Sequence, residues 1–119
     1  MLTCRPDPGP APVPLSSEGG FPLSDLPIPG KEQLFTAILR LETPEECAAF
    51  LEDICTIKEL TDLSQRLEAA RRLDRGESYQ TISQELGLST ATIGRVSRCL
   101  RYGSGGYRLL LDRLAEETL

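Results

Sequence analysis

The chain has 119 residues, the length of one domain, with 39% hydrophobic and 5% aromatic residues and a formal net charge of −5. It contains no histidine, and its four cysteines (Cys4, Cys47, Cys55 and Cys99) form no C-x-x-C pair, which excludes histidine-assisted metal sites and histidine acid–base catalysis. No run approaches the ~20 apolar residues of a membrane span, and the N-terminus lacks the apolar stretch of a signal peptide; a cytoplasmic protein with reduced thiols is expected, three of them buried on helices.

Eight of the nine prolines lie between Pro6 and Pro29. Proline removes backbone donors, and this stretch holds few bulky apolar residues, so residues 1–30 read as a disordered Pro/Gly-rich tail. Pro10, Pro12 and Pro14 alternate and make no P-x-x-P site. The folded domain is expected over residues 31–117.

From Lys31, the residues Leu34, Ile38 and Leu41 mark one helical face, with Phe35 and Leu39 on an adjoining stripe. That apolar arc is too broad for a monomer surface. Thr43, Pro44 and Glu46 then form a capping box that opens a second helix carrying Cys47, Phe50, Leu51 and Ile54 inward. Thr56 and Glu59 repeat the box and open a long third helix to about Arg75. Leu60, Leu63, Leu67 and Ala70 form its inner seam, extended by Ile57 and Leu73.

The stretch Ser78 to Leu100 reads as two short helices around a tight turn. Ser78 caps the first, Tyr79, Ile82 and Leu86 face inward, and Gly87 supplies the left-handed residue that ends it. Ser89 or Thr90 caps the second, whose buried side is Ile93, Val96 and Leu100 at i, i+3, i+7. Two amphipathic helices around a glycine turn also occur as a plain core hairpin. A small polar head followed by arginines is the helix-turn-helix pattern. Gly103, Gly105 and Gly106 then break the chain; the spacing is not that of a phosphate loop. A last helix from Tyr107 to about Glu117 turns Leu110, Leu111 and Leu114 inward. The total is six helices and no strand.

The distribution of charge says more than its sum. Residues 31–65 carry three bases and eight acids, whereas residues 66–113 carry nine arginines and five acids. The positive segment contains the helix-turn-helix, and arginine forks onto phosphate or guanine.

The pieces QRLEAARRLDRGESY, QELG and STATIGRVSRCLRYG, running from Gln65 to Gly103, resemble the Trp repressor family, and more closely its YerC/YecD branch of TrpR-related proteins. The stretches CAAFLEDICTIKEL and Tyr107 to Leu114 are similar to that branch as well. The resemblance implies a six-helix, Trp-repressor-like fold that forms an intertwined homodimer. It implies DNA contacts at the start of the recognition helix, where Thr90, Ala91, Thr92 and Gly94 match. Ser89, Arg95, Arg98 and Gln80 complete the candidate DNA-binding set. The first helix of the motif has Tyr79, Gln80 and Ser83 where basic groups meet phosphate in the tryptophan-dependent repressors.

In those repressors two arginines hold the corepressor, and Arg66 and Arg95 match them. With Cys99 they are the candidate ligand-binding positions. Val96 stands where those repressors carry glycine, and a branched side chain narrows the slot an indole needs. No cofactor is therefore assigned, and Arg66 is free to pair with Glu68 or Glu85 instead. The expected function is a dimeric repressor on a near-palindromic operator, with two recognition helices ~34 Å apart and an unspecified small-molecule effector. The rival is a helical dimeric interaction module that uses its acidic N-terminal half. An enzyme is not expected, because no nucleophile and base cluster.

Overall fold

The computed structural model describes residues 23–117. Residues 1–22, most of the expected tail, and Cys4 lie outside them. A short 3-10 turn at Leu23–Asp25 precedes six α-helices: α1 (Lys31–Leu39), α2 (Pro44–Ile54), α3 (Ile57–Asp74), α4 (Tyr79–Leu86), α5 (Thr90–Tyr102) and α6 (Gly106–Glu117). No strand occurs among the described residues. The expected all-α, six-helix architecture is borne out.

Residues 23–30 carry a turn where composition alone suggests tail. The reason is Lys31, which is only 8% exposed. Its ammonium donates to the carbonyl oxygens of Leu23 (3.2 Å) and Leu26 (2.9 Å), which also accept from the Leu26 and Ile28 N–H groups at 3.1 and 2.9 Å, so a lysine at the head of α1 ties the turn to the helix.

The capping signals are realised in different degrees. At Thr56 both arms close: Thr56 Oγ1 accepts from Glu59 N–H at 3.0 Å, and the Glu59 carboxylate accepts from Thr56 N–H at 2.9 Å. At Thr43 the hydroxyl accepts from Glu46 N–H at 3.0 Å, but the Glu46 carboxylate reaches past the cap to Glu42 N–H at 2.9 Å.

Helix α3 packs against α2, α4, α5 and α6, and its second half carries the centre of the core. Ala69 and Ala70 are fully buried, and with no side chain beyond Cβ they let neighbouring helices come close. Ile82 of α4, Ile93 and Val96 of α5 and Leu111 of α6 close over them. Leu67, Leu73, Leu86, Leu88, Leu100 and Tyr107 surround this centre.

Several expected core positions are open. Ile57 is 86% exposed and Leu63 is exposed too, so the seam of α3 is carried by Leu67, Ala69, Ala70 and Leu73. On α6 only Leu111 is buried; Leu110 and Leu114 are exposed. On α1, Leu34, Phe35, Ile38 and Leu39 are all exposed, and α2 has no buried residue. Periodicity identifies an apolar face but not whether one chain can cover it. The cysteines differ from expectation likewise: Cys47 and Cys55 are half-buried and Cys99 is exposed. Cys55 caps α2 rather than lying within a helix.

Ion pairs fasten the packing from outside. Arg72 donates to Glu68 at 3.0 Å and to Glu85 of α4, while Arg71 holds the other oxygen of Glu68 at 2.7 Å. Arg108 of α6 forks onto both oxygens of Asp74 at 2.8 and 3.0 Å, and also reaches Asp112. The hydrogen bond from Arg108 holds the Asp74 carboxyl below its ordinary range, and that from Arg72 does the same for Glu68.

Two predictions follow from this packing. Ile82→Ala leaves a cavity against Ala69 and Ala70 and is expected to cost about 3 kcal/mol in urea unfolding; a loss under about 1 kcal/mol would mean that α4 is not held through this side chain. The depressed carboxyls contribute stability above about pH 4 that is lost as the pH falls through their folded-state values. Asp74→Asn is therefore expected to show a shallower fall in melting temperature between pH 5 and pH 3 than the parent chain, and an equally steep fall would rule Asp74 out as a contributor.

Candidate nucleic-acid interface

The helix-turn-helix is held by side chains that bond the backbone of its own turn. Ser78 Oγ accepts from Thr81 N–H at 3.1 Å and starts α4. Gly87 ends it at φ 74°, a conformation that costs other residues energy. Ser83 Oγ donates across the turn to the Leu88 carbonyl at 2.6 Å, and Gln65 of α3 donates to the Leu86 carbonyl at 2.8 Å. Ser89 Oγ accepts from Thr92 N–H at 3.1 Å and starts α5. Leu86 and Leu88 pack into the core on either side of the glycine. The orientation of α5 on α3 is thus set by contacts inside one chain.

This frame leaves the head of α5 uncovered. Ser89, Thr90 and Ala91 are exposed, Thr92 and Gly94 are half-buried, and Arg95 and Arg98 are exposed, as is Gln80 on α4. Of the candidate DNA-binding residues, Ser89 to Thr92 form the head of α5, Arg98 lies about two turns further along that helix, and Gln80 belongs to α4. Tyr79 is not the inward residue that periodicity suggests. It is 41% exposed, and its ring lies 3.9 Å from where a Cβ on Gly94 would sit. That distance is ordinary contact, so no close approach inside the chain demands glycine at 94. Gly103 is the opposite case: a Cβ there would meet the Cys99 carbonyl oxygen at 2.5 Å, so the residue that caps α5 has no room for a side chain.

The expected ligand-binding positions also come together. Arg66 of α3 and Thr92, Arg95, Val96 and Cys99 of α5 line one open groove of about 320 Å³, together with Tyr107 of α6. Tyr107 was not legible as a member, because its place depends on how the chain reverses across Gly103–Gly106. Its phenol is pushed up by burial and by neighbouring Cys99, with Arg66 opposing. Val96 is only 3% exposed.

Arg66 does not take the carboxylates the sequence suggests for it. Glu68 is held by Arg71 and Arg72, and Glu85 by Arg72, whose guanidinium sits between the two helices. Among the described residues, Arg71, Arg72, Arg75 and Arg108 are ion-paired, while Arg66, Arg95, Arg98 and Arg101 have no carboxylate partner. Arg40 and Arg113, also unpaired, belong to the end of α1 and to α6. The described residues contain no cluster of side chains that could hold a metal ion.

The chain matches the Trp repressor protein family model over residues 30–115. It is 54% identical over 89 residues to YerC, an uncharacterised protein of Bacillus subtilis strain 168, covering 73% of this chain and 86% of that protein. A crystal structure of a candidate Trp repressor from Staphylococcus aureus superposes with a TM-score of 0.74 at 45% identity, covering 81% of this chain and 96% of that one. A TrpR-like protein from Eubacterium eligens ATCC 27750 gives a TM-score of 0.73 at 46% identity, covering 77% and 95%.

With only the edge of Tyr79 in reach of an added methyl, Gly94→Ala is expected to stabilise the free chain by up to about 1 kcal/mol through helix propensity. A thermal melt that moves down instead would show that the glycine serves the fold of the chain itself.

Proposed function

The chain belongs to the Trp repressor family, and from that premise we propose that it is a sequence-specific DNA-binding repressor that acts as a homodimer on a near-palindromic operator. The observation that carries the reading is the head of α5. Thr90 and Ala91 are slim and exposed, and the helix behind them is fixed on α3. The arginines that follow, Arg95 and Arg98, are not neutralised by carboxylates. A narrow head enters the major groove; threonine hydroxyls reach base edges or phosphate, and the Ala91 methyl can meet a thymine methyl. Glycine at 94 removes bulk on the same helix, which suits close approach of a DNA strand.

The dimer is supported by the uncovered apolar side chains. Leu34, Phe35, Ile38 and Leu39 of α1 and Leu110 and Leu114 of α6 are exposed, four of them on one short helix, and clustered apolar exposure of this kind marks interaction surfaces. In the reading proposed here a second copy covers them and sets the two recognition helices ~34 Å apart. A repressor acts where the DNA is, which places the proposed function in the cytoplasm; no described helix is long and apolar enough to cross a membrane. Tryptophan is not required: Val96 closes the bottom of the groove where an indole would enter. The same uncovered α1 face also favours a second reading, a helical interaction module without DNA specificity.

Selection of bound duplexes from a random pool, with and without tryptophan, separates the readings. A near-palindrome enriched without tryptophan is expected; no enrichment by the folded protein in either condition would favour the interaction module. On the selected duplex, Arg98→Ala is expected to weaken binding about tenfold or more without shifting the melting temperature. Unchanged affinity would remove Arg98 from the interface.

A further inference from the structure

We propose that the groove between α3, α5 and α6 is a clamp for a phosphodiester of the DNA backbone, with Arg66 reaching it from outside the helix-turn-helix; this rests on the DNA-binding reading above. The lining is rich in donors and contains no carboxylate: two guanidinium groups (Arg66 and Arg95), the Thr92 hydroxyl, the Tyr107 phenol and the Cys99 thiol. Thr92 Oγ1 accepts from the Ser89 hydroxyl at 3.0 Å, which leaves its own proton to give. Val96, the one aliphatic member, is 3% exposed and offers almost no surface to an apolar ring. Such a lining suits an anion.

Two features select a polymer over a small enclosed molecule. The groove is open along one side, whereas small-ligand sites bury most of their ligand. Further cations without a carboxylate partner stand beyond it on the same helix, since Arg98 and Arg101 follow Arg95 on α5 at three-residue steps. Thr92 and Arg95 belong at once to the groove and to the face that meets DNA, so a strand lying along α5 passes the opening. Arg66 has acids on its other side, Glu59 and Asp62, which line a neighbouring recess with it. Both are engaged elsewhere: Glu59 accepts from Thr56 N–H at 2.9 Å, and Asp62 pairs with Lys58 at 3.0 Å. The guanidinium of Arg66 is left for an external anion.

The test is the salt dependence of binding to random-sequence duplex, where phosphate contacts dominate. The full chain is compared with Arg66→Gln, Arg66→Lys and Arg71→Gln, the last removing an equal charge outside the groove. Loss of one phosphate contact lowers the slope of log affinity against log salt by about 0.9. Arg66→Gln is expected to show that loss with about tenfold weaker binding at low salt and an unchanged melting temperature. Arg66→Lys is expected to keep most of the slope, and Arg71→Gln nearly all of it. If Arg66→Gln matches Arg71→Gln while the parent binds DNA, the clamp is refuted and the proposed function stands. If tryptophan raises the melting temperature of the parent but not of Arg66→Gln, and the DNA slopes agree, the groove is a small-molecule site and the clamp is refuted. A folded parent that binds no duplex refutes both.

Discussion

The architecture depends on two adjacent alanines. Ala69 and Ala70 sit in the second half of α3 with no exposed surface, and the helices above them can approach because nothing projects beyond Cβ. Ile82, Ile93, Val96 and Leu111 fill the space so created, one or two from each of α4, α5 and α6. A larger side chain at either alanine would push the helix-turn-helix off its platform, and overpacking of that kind costs about 1–3 kcal/mol. The reading head is therefore oriented by the smallest residues in the core. The polar ties of Gln65 and Arg72 then hold α4 from its end and its side.

This concentration of the core has a consequence for the other half of the chain. With the buried residues confined to α3–α6 apart from Lys31, the apolar residues of α1 have little within one chain to pack against. Leaving them in water forgoes about 25 cal/mol for each Å² of apolar surface. One chain thus divides its labour: α3, α4 and α5 form a module that positions a helix, and α1 and part of α6 present the surface that a partner would cover. The fold and the expected mode of assembly are two results of one uneven distribution of small and large apolar residues.

Much of the fold was legible because its signals are local. Thr56–Glu59, Ser78, Gly87 and Ser89 each determine a helix end through bonds that span only a few residues. The i, i+3, i+7 pattern of Ile93, Val96 and Leu100 gave the inward face of α5 for the same reason. The failures lie where the outcome depends on distant parts. Leu63, Leu110 and Leu114 obey the helical period yet stay exposed, because period does not report what lies opposite. Arg72 rather than Arg66 takes Glu85, since that choice depends on how α4 crosses α3. At the site, Arg66 and Arg95 were legible as matched positions and Cys99 as a candidate beside them, while Tyr107 enters the groove only after the glycine reversal.

An acidic chain proposed to bind DNA needs an account of its own repulsion. The net charge of −5 is not spread evenly, for eight of the acids fall within residues 31–65. Asp62 lies one turn before Arg66 on α3, about 6 Å away at 1.5 Å per residue, and its charge is compensated there by Lys58 at 3.0 Å. Nearer the interface the carboxylates are held in ion pairs: Glu68 and Glu85 share Arg72, Asp74 pairs with Arg108, and Glu77 with Arg75. What a DNA strand meets at close range is the remainder, the guanidinium groups of Arg66, Arg95, Arg98 and Arg101. Arg72, Arg75 and Arg108 accordingly ease the approach of DNA without touching it, because they hold carboxylates that the backbone would otherwise meet uncompensated.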